Sequence, residues 1–106
     1  MAFGHATALK DERLVTRDEV HFRTRGTGPD GASIPMLIVN MSAMGLMARC
    51  DAEFAVDAPL KITLPIVGEV RARVRWSLGG RIGCELDEVI GLALYYEVLA
   101  ALLKQR

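Results

Sequence analysis

The chain has 106 residues, of which 51% are hydrophobic, and its 13 basic side chains balance its 13 acidic ones. This length and hydrophobic content predict one globular domain that folds without disulfides, and they exclude a disordered chain. Zero net charge excludes a global field that would draw the protein to nucleic acid or to an anionic membrane, so any anion site must be local.

The first half of the chain predicts three strands. Residues 1–11 have no period and are expected to be flexible, and Asp11–Arg17 is a polar lead-in. Loose alternation predicts a strand over Glu19–Arg25, and a β-branched run predicts another over Ser33–Val39. Leu46–Cys50 predicts a short third strand.

The second half of the chain predicts three more strands. Leu60–Ile66 alternates apolar and polar residues. Residues 70–77 alternate without a break, which predicts a strand with its arginines on one face and Trp76 on the other. Two glycines then predict a turn, and Ile82–Leu86 predicts the last strand.

A helix is predicted at the end of the chain, over about Val89–Lys104, because leucines and tyrosines recur at helical spacing. Asp87 suits the N-cap and Glu88 the first turn. Six short strands and one helix predict a mainly β fold, a small antiparallel barrel with the helix packed against it. The apolar residues of the helix spread beyond a narrow stripe, which leaves open a homodimer through this helix.

Two short motifs carry chemistry suited to a compact, anionic, guanine-bearing ligand. The first is RxxxR, from Arg13 to Arg17, and the second is NxSxxG, formed by Asn40, Ser42 and Gly45. A guanidinium can fork onto a phosphate or onto the O6/N7 edge of guanine, and a carboxamide or hydroxyl can accept from the guanine N–H edge. On an extended or looped arm the arginine spacing reaches about 13 Å, enough to contact phosphate and base together.

The two motifs in this order, within a β-rich chain, resemble the PilZ domain family of bacterial receptors for cyclic di-GMP. Val74-Arg75-Trp76 followed by Gly83-Cys84-Glu85-Leu86 is similar to the last two strands of that family. The resemblance implies a six-stranded antiparallel β-barrel with a C-terminal α-helix, formed as a single PilZ-like domain over residues 12–106.

The resemblance also implies a ligand site and a mode of action. The arginines would grip the guanines and phosphates of cyclic di-GMP, and their arm would become ordered on binding. Because the chain encodes nothing else, output is expected through an unidentified downstream protein. The residues implied in ligand binding are Arg13, Arg17, Asn40, Ser42 and Gly45.

No catalytic or metal site is predicted. His5 and His21 lack a nucleophile partner and lie far in sequence from a cysteine pair, so we expect a non-enzyme with neither metal nor cofactor. Cys50 and Cys84 are expected to be free buried thiols. No signal peptide or membrane-spanning stretch is evident, which predicts a cytoplasmic bacterial protein that does not insert into a membrane.

Two alternatives stay open at this point. Acidic residues crowd the arginine arm, among them Glu12 and Asp18, which favours a PilZ-like adaptor that acts through protein contacts without the ligand. The stripe of Arg71, Arg73 and Arg75 could instead track an RNA backbone. A solvated strand face is the simpler interpretation of this stripe because no stacking platform is evident, and no DNA partner is expected.

Overall fold

Six antiparallel strands close into a barrel in the computed structural model, which describes residues 12–104. The strands neighbour one another in the order β1-β2-β3-β6-β5-β4, and β4 returns to β1. This architecture confirms the predicted barrel with its C-terminal helix, and the predicted flexible segment 1–11 lies outside the described residues. The elements are α1 Glu12–Val15, β1 Asp18–Thr27, β2 Ser33–Met41, β3 Gly45–Arg49, β4 Pro59–Leu64, β5 Gly68–Leu78, β6 Arg81–Leu86 and α2 Leu92–Lys104.

The barrel closes along a short seam between β1 and β4. Its backbone register comprises two residue pairs, Gly26 with Ile62 and Thr27 with Lys61. A Cβ added to Gly26 would lie 2.8 Å from Met36 Cε and 3.2 Å from the Lys61 carbonyl oxygen, so a larger residue would crowd the seam. The seam is extended by a side chain, since the Thr24 hydroxyl donates to the carbonyl oxygen of Thr63 at 2.6 Å.

Alternate strand residues fill the barrel, and α2 covers one part of it. Ile38, Leu46, Ile62 and other apolar side chains point inward and are fully buried. Along α2, Tyr95, Val98 and Leu102 are buried at helical spacing, which places one face of the helix on the core. The outer face of α2 keeps Tyr96 50% and Leu103 45% exposed, and a homodimer through that face stays a prediction.

The C-terminal helix begins later than predicted, at Leu92. The backbone N–H of Asp87 donates to the Arg71 carbonyl at 2.9 Å, and that of Ile90 donates to the Ala43 carbonyl at 2.9 Å. The segment between them is therefore attached to the barrel, and the helical bonds start with the Tyr95 N–H donating to the Gly91 carbonyl at 2.8 Å. The predicted N-cap role of Asp87 is wrong because the barrel holds its backbone.

A β-bulge in β5 corrects the predicted position of Trp76. Val74 pairs with Cys84, but Trp76 pairs with Gly83, so one extra residue, Arg75, interrupts the alternation. Both Arg75 and Trp76 lie outside the barrel, with Trp76 40% exposed. A pattern of strict alternation would have placed the indole inside.

Candidate functional site

The second motif forms the tight turn between β2 and β3. The Ser42 N–H donates to the Gly45 carbonyl at 2.8 Å, and the Ser42 hydroxyl accepts from the Met44 N–H at 3.1 Å. Ser42 is 4% exposed, and apart from Tyr95 it is the only described residue with a hydroxyl or charged side chain that is so deeply buried. The hydroxyl therefore shapes the turn, as serine commonly does by bonding to nearby backbone.

Gly45 is required by close backbone approach rather than by an unusual backbone angle. It pairs with Glu85 at the start of β3, and a Cβ added to it would collide with the carbonyl oxygen of Cys84. β3 and β6 can meet at this point because the position carries no side chain.

The first motif reaches the second through one hydrogen bond. Arg17 Nη1 donates to Asn40 Oδ1 at 2.7 Å, and the Asn40 amide lies 3.7 Å from the sulfur of Met47. A guanidinium carries five N–H donors, so this bond leaves most of the Arg17 fork for another acceptor. The contact places the Arg17 guanidinium beside the Ser42–Gly45 turn.

The arm that carries the arginines is not extended over residues 12–15, where it forms the single helical turn α1. Thr16 closes the turn, because its N–H and its hydroxyl both donate to the Glu12 carbonyl, at 2.9 and 2.6 Å. Arg13 is exposed on this turn. The arm is therefore helical over these residues, and the spacing of the two guanidiniums on a bound ligand stays a prediction.

A concavity of about 230 Å³ lies beside the turn. Three of the five predicted ligand residues, Arg17, Ser42 and Gly45, line it, and Asn40 lies next to it and accepts a hydrogen bond from Arg17. Arg13 is not one of the lining residues. The structure thus brings four of the five residues together. The full lining is Val15, Arg17, Ser42, Met44, Gly45, Arg75, Trp76, Gly83, Cys84 and Glu85.

Trp76 is the main site residue that sequence reasoning missed. Its indole covers Gly83 so closely that a Cβ on Gly83 would overlap the ring. An aromatic residue that lies over a glycine on the neighbouring strand is a recurrent device in sheets. The sequence contained one signal for this contact, a single tryptophan in one strand and a glycine in the next. It gave no sign of the bulge in β5.

Carboxylates hold two members of the arginine stripe. Arg75 Nε donates to Glu85 Oε1 at 2.8 Å, and Arg75 Nη1 donates to the Asp57 carboxylate. The hydrogen bond to Glu85 raises the pKa of Arg75, which stays charged. Arg73 Nε lies 4.0 Å from Asp87 Oδ1. Since these cations already have acidic partners, the stripe is a poor track for an RNA backbone.

The cysteine that lines the concavity, Cys84, is a buried thiol. Burial raises the pKa of the Cys84 thiol to about 12, with the charge of Cys50 as a smaller cause, so Cys84 is not a thiolate nucleophile. Both cysteines are free, as predicted. Within residues 12–104 no cluster of metal-ligating side chains occurs, and none of the helices formed there has the length and apolar character to span a bilayer.

Comparison with known proteins agrees with this architecture. The family model of the PilZ domain matches residues 10–105. The crystal structure of the PilZ domain of CeSA from a cellulose synthesizing bacterium superposes with a TM-score of 0.60 and 17% identity, covering 84% of this chain and 96% of that one. At this identity the likeness shows the fold, and no curated protein matches the chain. With its closed six-stranded barrel and a family match over nearly its whole length, the chain belongs to the PilZ domain family.

Proposed function

We propose that the protein binds cyclic di-GMP beside the Ser42–Gly45 turn and acts as a receptor in the bacterial cytoplasm. The observation that carries this proposal is the 2.7 Å hydrogen bond between Arg17 and Asn40, which joins two motifs that lie on different elements. The PilZ family, to which the chain belongs, is a family of cyclic di-GMP receptors, which supports the same ligand.

The geometry suggests a role for each group. Arg17 offers its remaining N–H donors to a guanine O6/N7 edge or to a phosphate, and Asn40 orients that guanidinium from outside the concavity. The exposed indole of Trp76 provides an apolar face against which a base can stack. Gly45 and Gly83 also line the concavity, and the indole of Trp76 covers Gly83.

Ligand binding would also change the arm. α1 is a single turn, and isolated helices this short are marginal in water. Arg13 would join the ligand only if the arm moved, since it does not line the concavity in this structure. We therefore propose that cyclic di-GMP reorders residues 12–17, and that a downstream protein reads the new surface.

Isothermal titration calorimetry with cyclic di-GMP tests this proposal. Each charge-assisted hydrogen bond is worth about 1.5–3 kcal/mol, so Arg17→Ala and Arg13→Ala should each weaken binding about tenfold or more. Arg71→Ala is the matched control, since it removes the same charge from a strand face outside the concavity. Trp76 is the only tryptophan, so its fluorescence should change on titration. Equal affinity for the wild type and both arm variants would refute the proposal.

An adaptor that does not bind cyclic di-GMP is the second candidate. Glu85 lines the concavity, and its negative charge opposes an anionic ligand except where Arg75 neutralises it, at 2.7 Å between Nη2 and Oε1. Absence of heat and of a fluorescence change in the wild type at high ligand concentration would favour this candidate.

A further inference from the structure

A second concavity, the arginine cleft, lies at the opposite end of β2 and β3 from the Ser42–Gly45 turn. Its volume is about 730 Å³. Three arginines and a single acidic residue line it, which makes it a basic cleft on a protein of zero net charge. The lining residues are Arg23, Thr24, Arg25, Pro35, Met36, Leu37, Arg49, Cys50, Asp51, Gly79 and Gly80.

Strand register places two of these arginines, Arg23 and Arg49, in a row that continues to Arg81. Arg23 pairs with Leu37, Leu37 pairs with Arg49, and Arg49 pairs with Arg81. Adjacent strands lie about 4.8 Å apart, so the backbones of Arg23 and Arg49 are separated by about 10 Å, with the leucine between them. Like charges directly opposite one another destabilise a sheet, and this row contains such a pair in Arg49 and Arg81.

The row lacks the acidic partners found on the other side of the barrel. Arg73 and Arg75 are each close to a carboxylate, whereas within residues 12–104 Arg23, Arg49 and Arg81 form no ion pair. The fourth cation of this region donates to a hydroxyl instead, from Arg25 Nε to Ser33 Oγ at 2.7 Å. The guanidiniums of the cleft are therefore available to an external anion.

We propose that the arginine cleft binds an acidic segment of a partner protein, one that carries several carboxylates and an apolar side chain. A guanidinium fork matches a carboxylate with two parallel hydrogen bonds. Pro35 and Leu37 provide apolar surface between the cations, and arginine beside apolar side chains is typical of protein interfaces.

The cleft suits a protein better than a single-stranded nucleic acid. Nucleic acids bound without sequence preference stack their bases on aromatic side chains, and the lining contains none. The exposed aromatic residues of the described chain, Trp76 and Tyr96, lie outside the cleft. The proposal does not rest on cyclic di-GMP binding, but it places a partner on the two strands that also hold the Ser42–Gly45 turn.

Fluorescence anisotropy with synthetic probes tests the proposal. The acidic probe is a labelled Glu-Glu-Leu-Glu-Glu-Leu-Glu-Glu peptide, and the other probes are the same peptide with glutamine for glutamate and an oligouridylate of equal length. We expect the wild type to bind the acidic peptide in preference to both, more weakly as salt rises. Arg23→Gln/Arg49→Gln should lower this affinity about tenfold or more. Arg71→Gln/Arg73→Gln, with the same loss of charge on the other side of the barrel, should lower it far less.

Three results would overturn the proposal: no binding of the acidic peptide, tighter binding of the oligouridylate, or equal losses in the two double variants. A further variant, Arg49→Glu, distinguishes loss of binding from loss of folding. It places a carboxylate opposite Arg81, so it should abolish peptide binding without lowering the melting temperature. In calorimetry, Arg23→Gln/Arg49→Gln should bind cyclic di-GMP with the same affinity as the wild type. Failure of the cyclic di-GMP proposal and failure of the acidic-peptide proposal can therefore be recognised separately.

Discussion

The hydroxyl of Tyr95 lies 2.7 Å from Asp18 Oδ2 and 3.0 Å from the Met41 carbonyl oxygen. A buried residue of α2 is therefore joined to the start of β1 and to the end of β2. Asp18 directly follows Arg17, so the C-terminal helix is anchored at the point where the arginine arm enters the barrel. Asp18, which the sequence suggested only as an acidic neighbour of the ligand arm, has a structural role.

Tyr95→Phe should destabilise the fold by about 1–2 kcal/mol, because it removes the hydroxyl whose single proton is shared between the Asp18 carboxylate and the buried Met41 carbonyl. Urea denaturation measures the change. Tyr96→Phe is the matched control, since Tyr96 is half exposed and its hydroxyl makes no hydrogen bond within the described residues. A loss for Tyr95→Phe no greater than that of the control would contradict this account of the anchor.

Stability should fall in alkaline solution. Burial raises the pKa of Tyr95, with the hydrogen bond to Asp18 as the second cause, and burial raises the pKa of Cys84 from 9.0 to about 12. The unfolded chain releases these protons at lower pH than the folded one, so this contribution is complete below about pH 9 and is lost as pH rises through the folded-state pKa values.

Urea denaturation at a series of pH values measures this decline, and Cys84→Ala should make it shallower above about pH 9. The comparison concerns the slope, because loss of the thiol also changes packing. An identical slope in Cys84→Ala and the wild type would mean that other groups cause the alkaline loss.

Gly45→Ala should destabilise the protein by about 1–3 kcal/mol, because the new methyl group would meet the backbone oxygen of Cys84 and part β3 from β6. Thermal denaturation measures this loss. Gly91→Ser is the control, since a Cβ there has no neighbour within 4 Å and serine is a good N-cap for α2. Equal melting temperatures for the two variants would show that the strands have room to separate at no cost.

Gly83→Ala should push the indole of Trp76 away from β6 into solvent, since an added Cβ overlaps the ring. Trp76 is the only tryptophan, so its emission should shift to longer wavelength, and its quenching by acrylamide should increase. If cyclic di-GMP stacks on this ring, affinity should fall as well. An unchanged emission spectrum would indicate that the strand, rather than the ring, yields.

Much of the barrel could be predicted from periodicity, because strands with one buried face alternate strictly. The two errors in the predicted fold arise where contact with another element sets the backbone conformation. Asp87 has the composition of an N-cap, but its N–H is bonded to the Arg71 carbonyl, a tertiary contact that local sequence does not encode. The bulge at Arg75 likewise depends on the partner strand, and one extra residue moves Trp76 to the outer surface.

The candidate site could be predicted in part. Arg17, Ser42 and Gly45, which the motifs named, lie beside one concavity, and their role in ligand binding stays a prediction. Arg13 could not be placed, because a polar lead-in can be extended or helical, and hydrogen bonds from Thr16 to Glu12 select the helical turn. Trp76 was not predicted to belong to the site, because its position there depends on contact with Gly83. Gly83 lies in the neighbouring strand β6, and local sequence does not encode that contact.

The short seam between β1 and β4 makes the local stability of the barrel differ from one strand pair to another. Two backbone pairs and the Thr24 hydroxyl close it, whereas β1 and β2 pair along most of their length. Local opening starts where the fewest bonds must break, so amide hydrogens of β4 that face β1 should exchange with solvent before those between β2 and β3. The barrel would then open as a curled sheet hinged on its long hairpins, with the Ser42–Gly45 turn kept intact on the stable side.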